Sequence, residues 1–256
     1  MIDWSALDDA YGPADAIPEM IDRAADGDRA AIDDLWHHLC HQGTITSASI
    51  AALPRLTDIA ETRPSVDWAL DLAGGIAAGL LQRHHGADEE VARQGPVLAR
   101  LRATVAARLI PGLPEPTYLG LLRALLAFDG RPLWHTALDD FTDASYTLAC
   151  PHCRASVTIA IGQYGCYSSL RDWDLGDIHQ VPLQPNHPDD LTGAGQTLHE
   201  LAERDGQTRL AWGFTYLFGR AECPNCGSLF NIAEEYEAEN APNPWDFGRP
   251  HVLDIP

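Results

Sequence analysis

Two short cysteine motifs of the same form are the strongest chemical signal in this sequence. The first is Cys150-Pro151-His152-Cys153 and the second is Cys223-Pro224-Asn225-Cys226. We call each C-P-x-C motif a knuckle. A gap of two residues lets both sulfurs of a knuckle face one ion, and the proline after the first cysteine shapes the turn because it fixes φ. Four thiolates satisfy a tetrahedral Zn2+ ion, so the spacing predicts a metal site made by Cys150, Cys153, Cys223 and Cys226.

A zinc ion held by four cysteines has no open position for a water molecule, so its expected role is structural. Its binding energy then becomes folding energy for the part of the chain that holds it. Two other uses of paired cysteines stay open at this stage. Disulfides belong to oxidising compartments, and a redox dithiol is typically one C-x-x-C within a βαβ pattern. Two matched pairs between strand-like flanks favour zinc.

The residues around both knuckles alternate as they do in β-strands. Residues 146–148 and 157–159 flank the first knuckle, and residues 214–218 and 229–232 flank the second. Gly227 follows the second knuckle and suits a position with positive φ, whereas Arg154 holds the matching place after the first. Two hairpins that clamp one metal form a zinc ribbon. The unusual feature here is a long insertion between the knuckles, residues 154–222.

The first half of the chain shows apolar residues at helical spacing. Helices are predicted at residues 17–24, 32–40, from Thr46 or Ser47 through Ile59, from Ser65 through residue 81, at 88–110 with a break or kink at Gly95-Pro96, and at 115–128. Antiparallel helix pairs of this length stack as α-solenoids of the HEAT or armadillo type, with a compact bundle as the alternative. We therefore expect a mainly α fold: HEAT-like repeats in residues 1–130 and a smaller α+β zinc-ribbon domain in residues 131–256.

The opening residues carry a recognisable pattern. It consists of Trp4, Ala10-Tyr11-Gly12-Pro13-Ala14, Ile17-Pro18, Leu35, Leu39 and His41-Gln42-Gly43-Thr44. Over residues 4–60 this pattern resembles the start of a group of bacterial HEAT-repeat-like proteins. The resemblance implies an α-solenoid scaffold that binds other proteins. Some acidic helical-repeat proteins of this kind act as immunity proteins or regulators in bacterial conflict systems, but no residue-level motif carries that role to this chain.

The charge of the chain is strongly negative. It holds 37 acidic residues against 17 basic ones, all of them arginine, for a net charge of −20. Such a field repels phosphate backbones and anionic membranes and attracts basic partners. No apolar run has membrane-spanning length, and no signal peptide is visible at the N-terminus. We therefore expect a cytoplasmic protein, and nucleic acid is a disfavoured ligand.

Other reactive residues give weaker signals. His37 and His41 stand at i, i+4, a spacing that can hold a metal, but without a His-Glu-x-x-His pattern capping or packing is favoured. Cys40 and Cys166 are left over from the knuckles; each is either a buried or a reactive thiol, and the buried role is favoured. Asp172, Asp174 and Asp177 cluster without a clear geometry, and an acidic tail follows Ala233.

Signatures of enzymes are missing from this sequence. It contains no P-loop, no G-x-G-x-x-G and no G-x-S-x-G. The expected function is therefore a non-enzymatic protein-binding scaffold with a structural zinc, acting as an inhibitor, immunity protein or regulator of a basic partner. The alternative is a zinc-ribbon enzyme or a nucleic-acid-associated factor.

Overall fold

The structure, a computed structural model, describes residues 2–41, 43–63, 67–82, 87–139, 141, 145–163, 165–170 and 179–240. These residues are mainly helical, with a small antiparallel sheet region, as the sequence predicts at this level. The helices are α1 (Ile17–Ala25), α2 (Arg29–Leu39), α3 (Ser47–Thr62), α4 (Trp68–Gln82), α5 (Ala87–Arg108), α6 (Glu115–Phe128), α7 (Pro132–Ala137), α8 (Gly193–Arg204), α9 (Thr208–Leu217) and α10 (Ile232–Asn240). The strands are β1 (Ser145–Ala149), β2 (Ser156–Gly162), β3 (Gly165–Ser169), β4 (Val181–Pro182), β5 (Arg220–Glu222) and β6 (Leu229–Asn231).

Side chains cap the N-termini of two of the predicted helices, α2 and α3. The Asp28 carboxylate accepts from the backbone N–H groups of Ala30 and Ala31 at the start of α2. Thr46 and Ser49 form a capping box at the start of α3, which satisfies two otherwise free N–H groups. Pro96 lies inside a continuous α5, so the expected break is absent there. The predicted cap Ser65 lies outside the described residues.

The first six helices pack as three neighbouring pairs, α1 on α2, α3 on α4 and α5 on α6. Helix α4 is central, because every residue from 72 to 80 is buried. A Cβ atom on Gly74 would lie 3.2 Å from the Cα atom of Ala124 in α6. Glycine therefore allows α4 and α6 to approach closely. This pairing is compatible with a HEAT-like array, which stays a prediction.

Ion pairs tie α1, α3 and α5 together on the outside of these pairs. Arg55 of α3 binds Asp22 of α1. Arg100 of α5 reaches Asp58 at 2.8 Å and Glu61 at 2.6 Å, both in α3. Solvent and salt screen exposed pairs of this kind, so they add little to the stability of the helices.

The strands form two small antiparallel sheets. One has the order β1-β2-β3-β4, with Leu148 opposite Val157 and Ile161 opposite Cys166. The other is the β5–β6 hairpin. The two sheets meet where the Ser168 hydroxyl donates to the carbonyl oxygen of Glu222 at 2.6 Å. The insertion between the knuckles thus holds β3, β4, α8 and α9 and brings the second hairpin back to the first.

The prediction of a strand at residues 214–218 is wrong, because these residues belong to α9 and its C-cap. The short run is rich in aromatic and β-branched side chains, which suggested alternation. Over residues 208–217, however, the buried residues Leu210, Phe214 and Leu217 recur at i, i+4 and i+7. This is the apolar spacing of a helix. The strand that precedes the second knuckle is β5. The predicted strand after it is confirmed as β6, which ends where α10 begins.

Hydrogen bonds join the first half of the chain to the insertion. The Tyr118 hydroxyl of α6 lies 2.8 Å from the carbonyl oxygen of Leu201 and 2.8 Å from a carboxylate oxygen of Asp205. Arg204 donates to the carbonyl oxygen of Leu109 at 2.9 Å. The buried apolar residues also form one continuous cluster from α1 to α10. The division at residue 130 stays a prediction, and any two domains would share an extensive interface.

None of the described helices combines the length and the apolar character that a membrane crossing requires.

Candidate metal centre

The two knuckles occupy equivalent turns in two hairpins. We call β1–β2 hairpin 1 and β5–β6 hairpin 2. In hairpin 1, Cys150 N–H donates to the carbonyl oxygen of Ala155 at 2.8 Å, and Arg154 N–H donates to that of Cys150 at 2.8 Å. In hairpin 2 the same two bonds join Cys223 to Ser228 at 2.9 Å and Gly227 to Cys223 at 2.8 Å. The repeated motif in the sequence is therefore a repeated turn in the structure.

The four sulfurs of the knuckles converge on one point. All four Sγ atoms lie within 4.8 Å of one another. The Sγ atoms of Cys150 and Cys226 are 3.8 Å apart, and those of Cys153 and Cys223 are 3.7 Å apart. A tetrahedral ion with metal–sulfur bonds of about 2.3 Å has sulfur–sulfur edges of roughly 3.8 Å. The donor set and its spacing therefore fit a single metal ion such as zinc.

Burial follows the same symmetry in both knuckles. The first cysteines, Cys150 and Cys223, are completely buried, whereas Cys153 is half-buried and Cys226 is exposed. Each knuckle thus presents one sulfur from the protein interior and one from the surface. An ion at this point would lie at the edge of the core and would join the two hairpins there.

Hydrogen bonds and burial shift the pKa values of three of these thiols in different directions. The Asn225 side-chain amide donates to the Cys153 sulfur at 3.4 Å. This bond and one from the Ala155 backbone lower the pKa of Cys153 to about 6. Hydrogen bonds from Ser228 lower the pKa of Cys226, while burial raises the pKa of Cys223. A bound cation favours the thiolate form of every ligand, so it would offset the cost of charging Cys223.

The four-cysteine cluster is the only group of three or more His, Cys, Asp or Glu side chains with metal-ligand geometry among the described residues. His37 is exposed, and His41 instead lies 3.4 Å from the Tyr11 hydroxyl through its Nδ1 atom. The neighbouring His38 makes the strongest contact, with its Nδ1 atom 2.7 Å from the buried Asp9 carboxylate. The packing role that the sequence favoured fits the contact of His41, whereas His37 faces solvent.

The remaining residues that the sequence singled out take no part in the centre. Cys40 and Cys166 are both half-buried, and burial raises the pKa of each thiol. Asp172, Asp174 and Asp177 lie outside the described residues, as do residues 241–256. The acidic segment after Ala233 is helix α10 as far as residue 240.

Two residues near the centre had no clear signal in the sequence. Asn225 stands at the variable position of the second knuckle, yet it reaches the sulfur of Cys153 in the first. The Glu239 carboxylate accepts a 2.6 Å hydrogen bond from the N–H of Ala149, which precedes Cys150. In the sequence, Glu239 was notable only as part of the acidic segment after the second knuckle. That segment suggested a surface tail.

Comparison with known proteins finds no match to this chain among protein-family models, curated proteins or solved structures. The resemblance of residues 4–60 to HEAT-repeat-like proteins therefore stays a prediction. The function has to be inferred from the geometry and the charge of the chain itself.

Proposed function

We propose that this chain is a non-enzymatic protein-binding scaffold with a structural Zn2+ ion, and that its partner is a basic protein. The observation that carries the proposal is the convergence of four cysteine sulfurs from two equivalent hairpin turns. Such a site holds the fold together and leaves no coordination position for a substrate. The activity is then expected on the protein surface and not at the metal.

The chemistry of the donors supports zinc as the ion. Soft thiolate ligands select zinc or iron–sulfur clusters over magnesium and calcium. Sulfur–sulfur distances of 3.7 and 3.8 Å suit one small tetrahedral ion. The pair of hairpins around it corresponds to a zinc ribbon, with the insertion of β3, β4, α8 and α9 as an elaboration. We propose the ribbon on this basis.

The distribution of charge supports a basic partner. Ten of the 17 arginines form ion pairs with Asp or Glu side chains within the described residues. The positive charges are thus largely neutralised inside the chain, and the surplus of acidic groups faces outward. A field of this sign raises the association rate of basic proteins and repels nucleic acid.

The arrangement of helices supports a scaffold. Ion pairs place α1 beside α3 and α3 beside α5. A HEAT-like array would use such a surface, or its opposite face, to bind a partner over a broad area. We propose an inhibitor, immunity or regulatory role because these roles need binding and no catalytic group.

The metal content tests the first part of the proposal. Protein purified without added zinc is analysed for metals, and the same sample is melted with and without a chelator. We expect one zinc per chain and a lower melting temperature after chelation. Protein free of metal, with disulfides between the cysteines found by mass spectrometry, would contradict a structural zinc site.

Salt-dependent capture tests the second part. The immobilised chain is exposed to an extract of its own source cells at low and at moderate salt, and the bound proteins are identified by mass spectrometry. The control is a variant in which the exposed Asp33 and Asp34 of α2 and other exposed, unpaired acids are changed to amides. We expect a basic protein that binds the native chain and is lost from the control. Preferential capture of DNA or RNA would instead support the alternative class.

A further inference from the structure

Helix α10 starts directly from the second half of the metal centre. Strand β6 ends at Asn231 and α10 begins at Ile232, so no loop separates them. The N–H of Ile232 donates to the carbonyl oxygen of Gly219 at 3.1 Å, and the Ile232 side chain is completely buried. The start of the helix is therefore attached firmly to hairpin 2.

The end of α10 returns to hairpin 1. A carboxylate oxygen of Glu239 accepts a hydrogen bond of 2.6 Å from the N–H of Ala149, the residue before Cys150. The Tyr236 ring also lies edge-on against the ring of Tyr146 in β1, with centroids 5.5 Å apart. One helix thus touches both hairpins that supply the four sulfurs.

The middle of α10 binds α7 in the helical part of the chain. The buried Trp134 donates its indole N–H to a carboxylate oxygen of Glu237 at 2.7 Å. The Tyr236 ring stacks on the Trp134 ring with centroids 5.9 Å apart. Buried indole N–H groups need a partner, because an unsatisfied one costs about 1–3 kcal/mol. Helix α10 supplies that partner from the metal-binding half.

We infer that occupancy of the four-cysteine centre and docking of α10 on α7 are coupled, so that the metal controls a contact with the helical part of the chain. The inference rests on the proposed metal. Without an ion, hairpin 2 loses its direct link to hairpin 1 at the cysteines. The two hairpins are then joined only away from the cysteines, by sheet contacts such as the bond from Ser168 to Glu222. The cysteine ends of the hairpins can shift relative to each other, and the bond from Ala149 to Glu239 passes this shift to α10, which draws Glu237 away from Trp134. A binding event at the metal site is thereby transmitted to α7.

Coupling between two sites is reciprocal. If the metal favours the docked helix, then the docked helix must favour the metal by the same factor. Weakening the contact between Glu237 and Trp134 should therefore weaken metal binding, although neither residue is a ligand. This expectation separates a coupled helix from one that is merely a neighbour.

Hydrogen exchange on the full chain tests the first direction. Exchange is followed in peptides from α10, α7 and α1, before and after a chelator has removed the metal. We expect exchange in α10 and α7 to rise by about tenfold or more, while α1 stays unchanged. Unchanged exchange in α10 after measured loss of metal would overturn the coupling and leave the proposed zinc site intact.

Metal affinity of two matched variants tests the other direction. Glu237→Ala removes the acceptor of the Trp134 indole. Glu235→Ala removes the same charge from the same helix, at a residue whose carboxylate has no hydrogen-bond or ion-pair partner in the described part of the chain. We expect the zinc dissociation constant, measured by competition with a chelating dye, to rise by roughly fivefold in Glu237→Ala only. Equal constants in both variants overturn the inference, and absence of zinc binding by the native chain overturns both it and the proposed function.

Discussion

Arg154 adopts the same left-handed backbone conformation as Gly227, at the equivalent point of the other knuckle. Their φ angles are 63° and 72°, and Arg154 is the only non-glycine residue with positive φ among the described residues. An L-residue in this region costs about 1–2 kcal/mol relative to its favoured conformations, whereas glycine enters it freely. The first knuckle therefore keeps a strained residue where the second has a relaxed one.

Single substitutions at these two positions should change the free energy of unfolding in opposite directions. We expect Arg154→Gly to raise the free energy of unfolding by up to about 1 kcal/mol, and Gly227→Ala to lower it by about 1 kcal/mol. A Cβ atom on Gly227 would meet only Glu222 Oε1, at 4.0 Å, so the loss reports backbone strain alone. Urea unfolding of the metal-loaded proteins measures both. A destabilised Arg154→Gly variant would show that the Arg154 side chain contributes more than the strain removes.

Loss of one buried ligand should abolish metal binding. A serine at Cys223 cannot supply the thiolate, so we expect Cys223→Ser to retain no zinc and to lose several kcal/mol of stability, since structural zinc contributes directly to folding. Cys166→Ser is the matched control, because Cys166 lies on β3 outside the cluster. Metal analysis and thermal melts check both. Zinc retained at one ion per chain in Cys223→Ser would contradict the assignment of ligands.

Burial of His135 should make stability depend on pH. Burial, and then the nearby Arg123 guanidinium, lower the pKa of His135 to about 4. The unfolded chain takes up this proton near pH 6.5, but the folded chain resists it until about pH 4. The stability contributed by the neutral ring is therefore present above pH 6.5 and is lost as the pH falls from 6.5 towards 4.

A variant that lacks the His135 imidazole separates this loss of stability from any loss caused by release of the metal at low pH. Between pH 7.5 and pH 5, we expect the native chain to lose about 2 kcal/mol more free energy of unfolding than His135→Gln does. Urea titrations at the two pH values give the difference. Parallel losses in the two proteins would mean that the folded chain accommodates a charged His135.

Removing the charge of Asp67 or of Asp71, two acidic residues near the start of α4, should change the stability of the protein in opposite directions. Burial raises the pKa of Asp71, and the nearby Arg123 guanidinium offsets only part of this shift, so the charge of Asp71 is costly at neutral pH. Asp67 forms an ion pair of 3.0 Å with Arg108. We expect Asp71→Asn to stabilise the protein by about 0.5–1 kcal/mol and Asp67→Asn to destabilise it by about 0.5 kcal/mol. Thermal melts at pH 7 compare them, and a destabilised Asp71→Asn variant would show that attraction to the Arg123 guanidinium outweighs the cost of burial.

Local patterns predicted much of the helical part correctly. The expected helix at residues 115–128 matches α6, and Thr46 is the N-cap of α3. Both depend on nearest-neighbour chemistry, namely apolar spacing and side-chain capping, which a sequence displays directly. The two knuckles could also be predicted, because a gap of two residues between cysteines determines where their sulfurs can point.

Features that depend on distant residues were not predictable in the same way. His38 and not His37 contacts Asp9, because the loop around Asp9 folds back on the end of α2. Likewise α10 looked like an acidic tail, because its contacts with Trp134 and Ala149 come from remote parts of the chain. Residues 214–218 alone have the composition of a strand, and only the longer segment 208–217 shows the apolar spacing of helix α9.

The insertion also determines when the metal centre can form during synthesis. Cys150 and Cys226 are 76 positions apart, and a chain emerges from the ribosome N-terminus first. Helices α1–α7 and the first knuckle are therefore complete while the second knuckle has not yet been made. The centre is among the last parts of the described chain to be assembled, and a chain truncated within the insertion carries only two of the four sulfurs. The proposed metal can thus be held by all four sulfurs only after synthesis has passed Cys226.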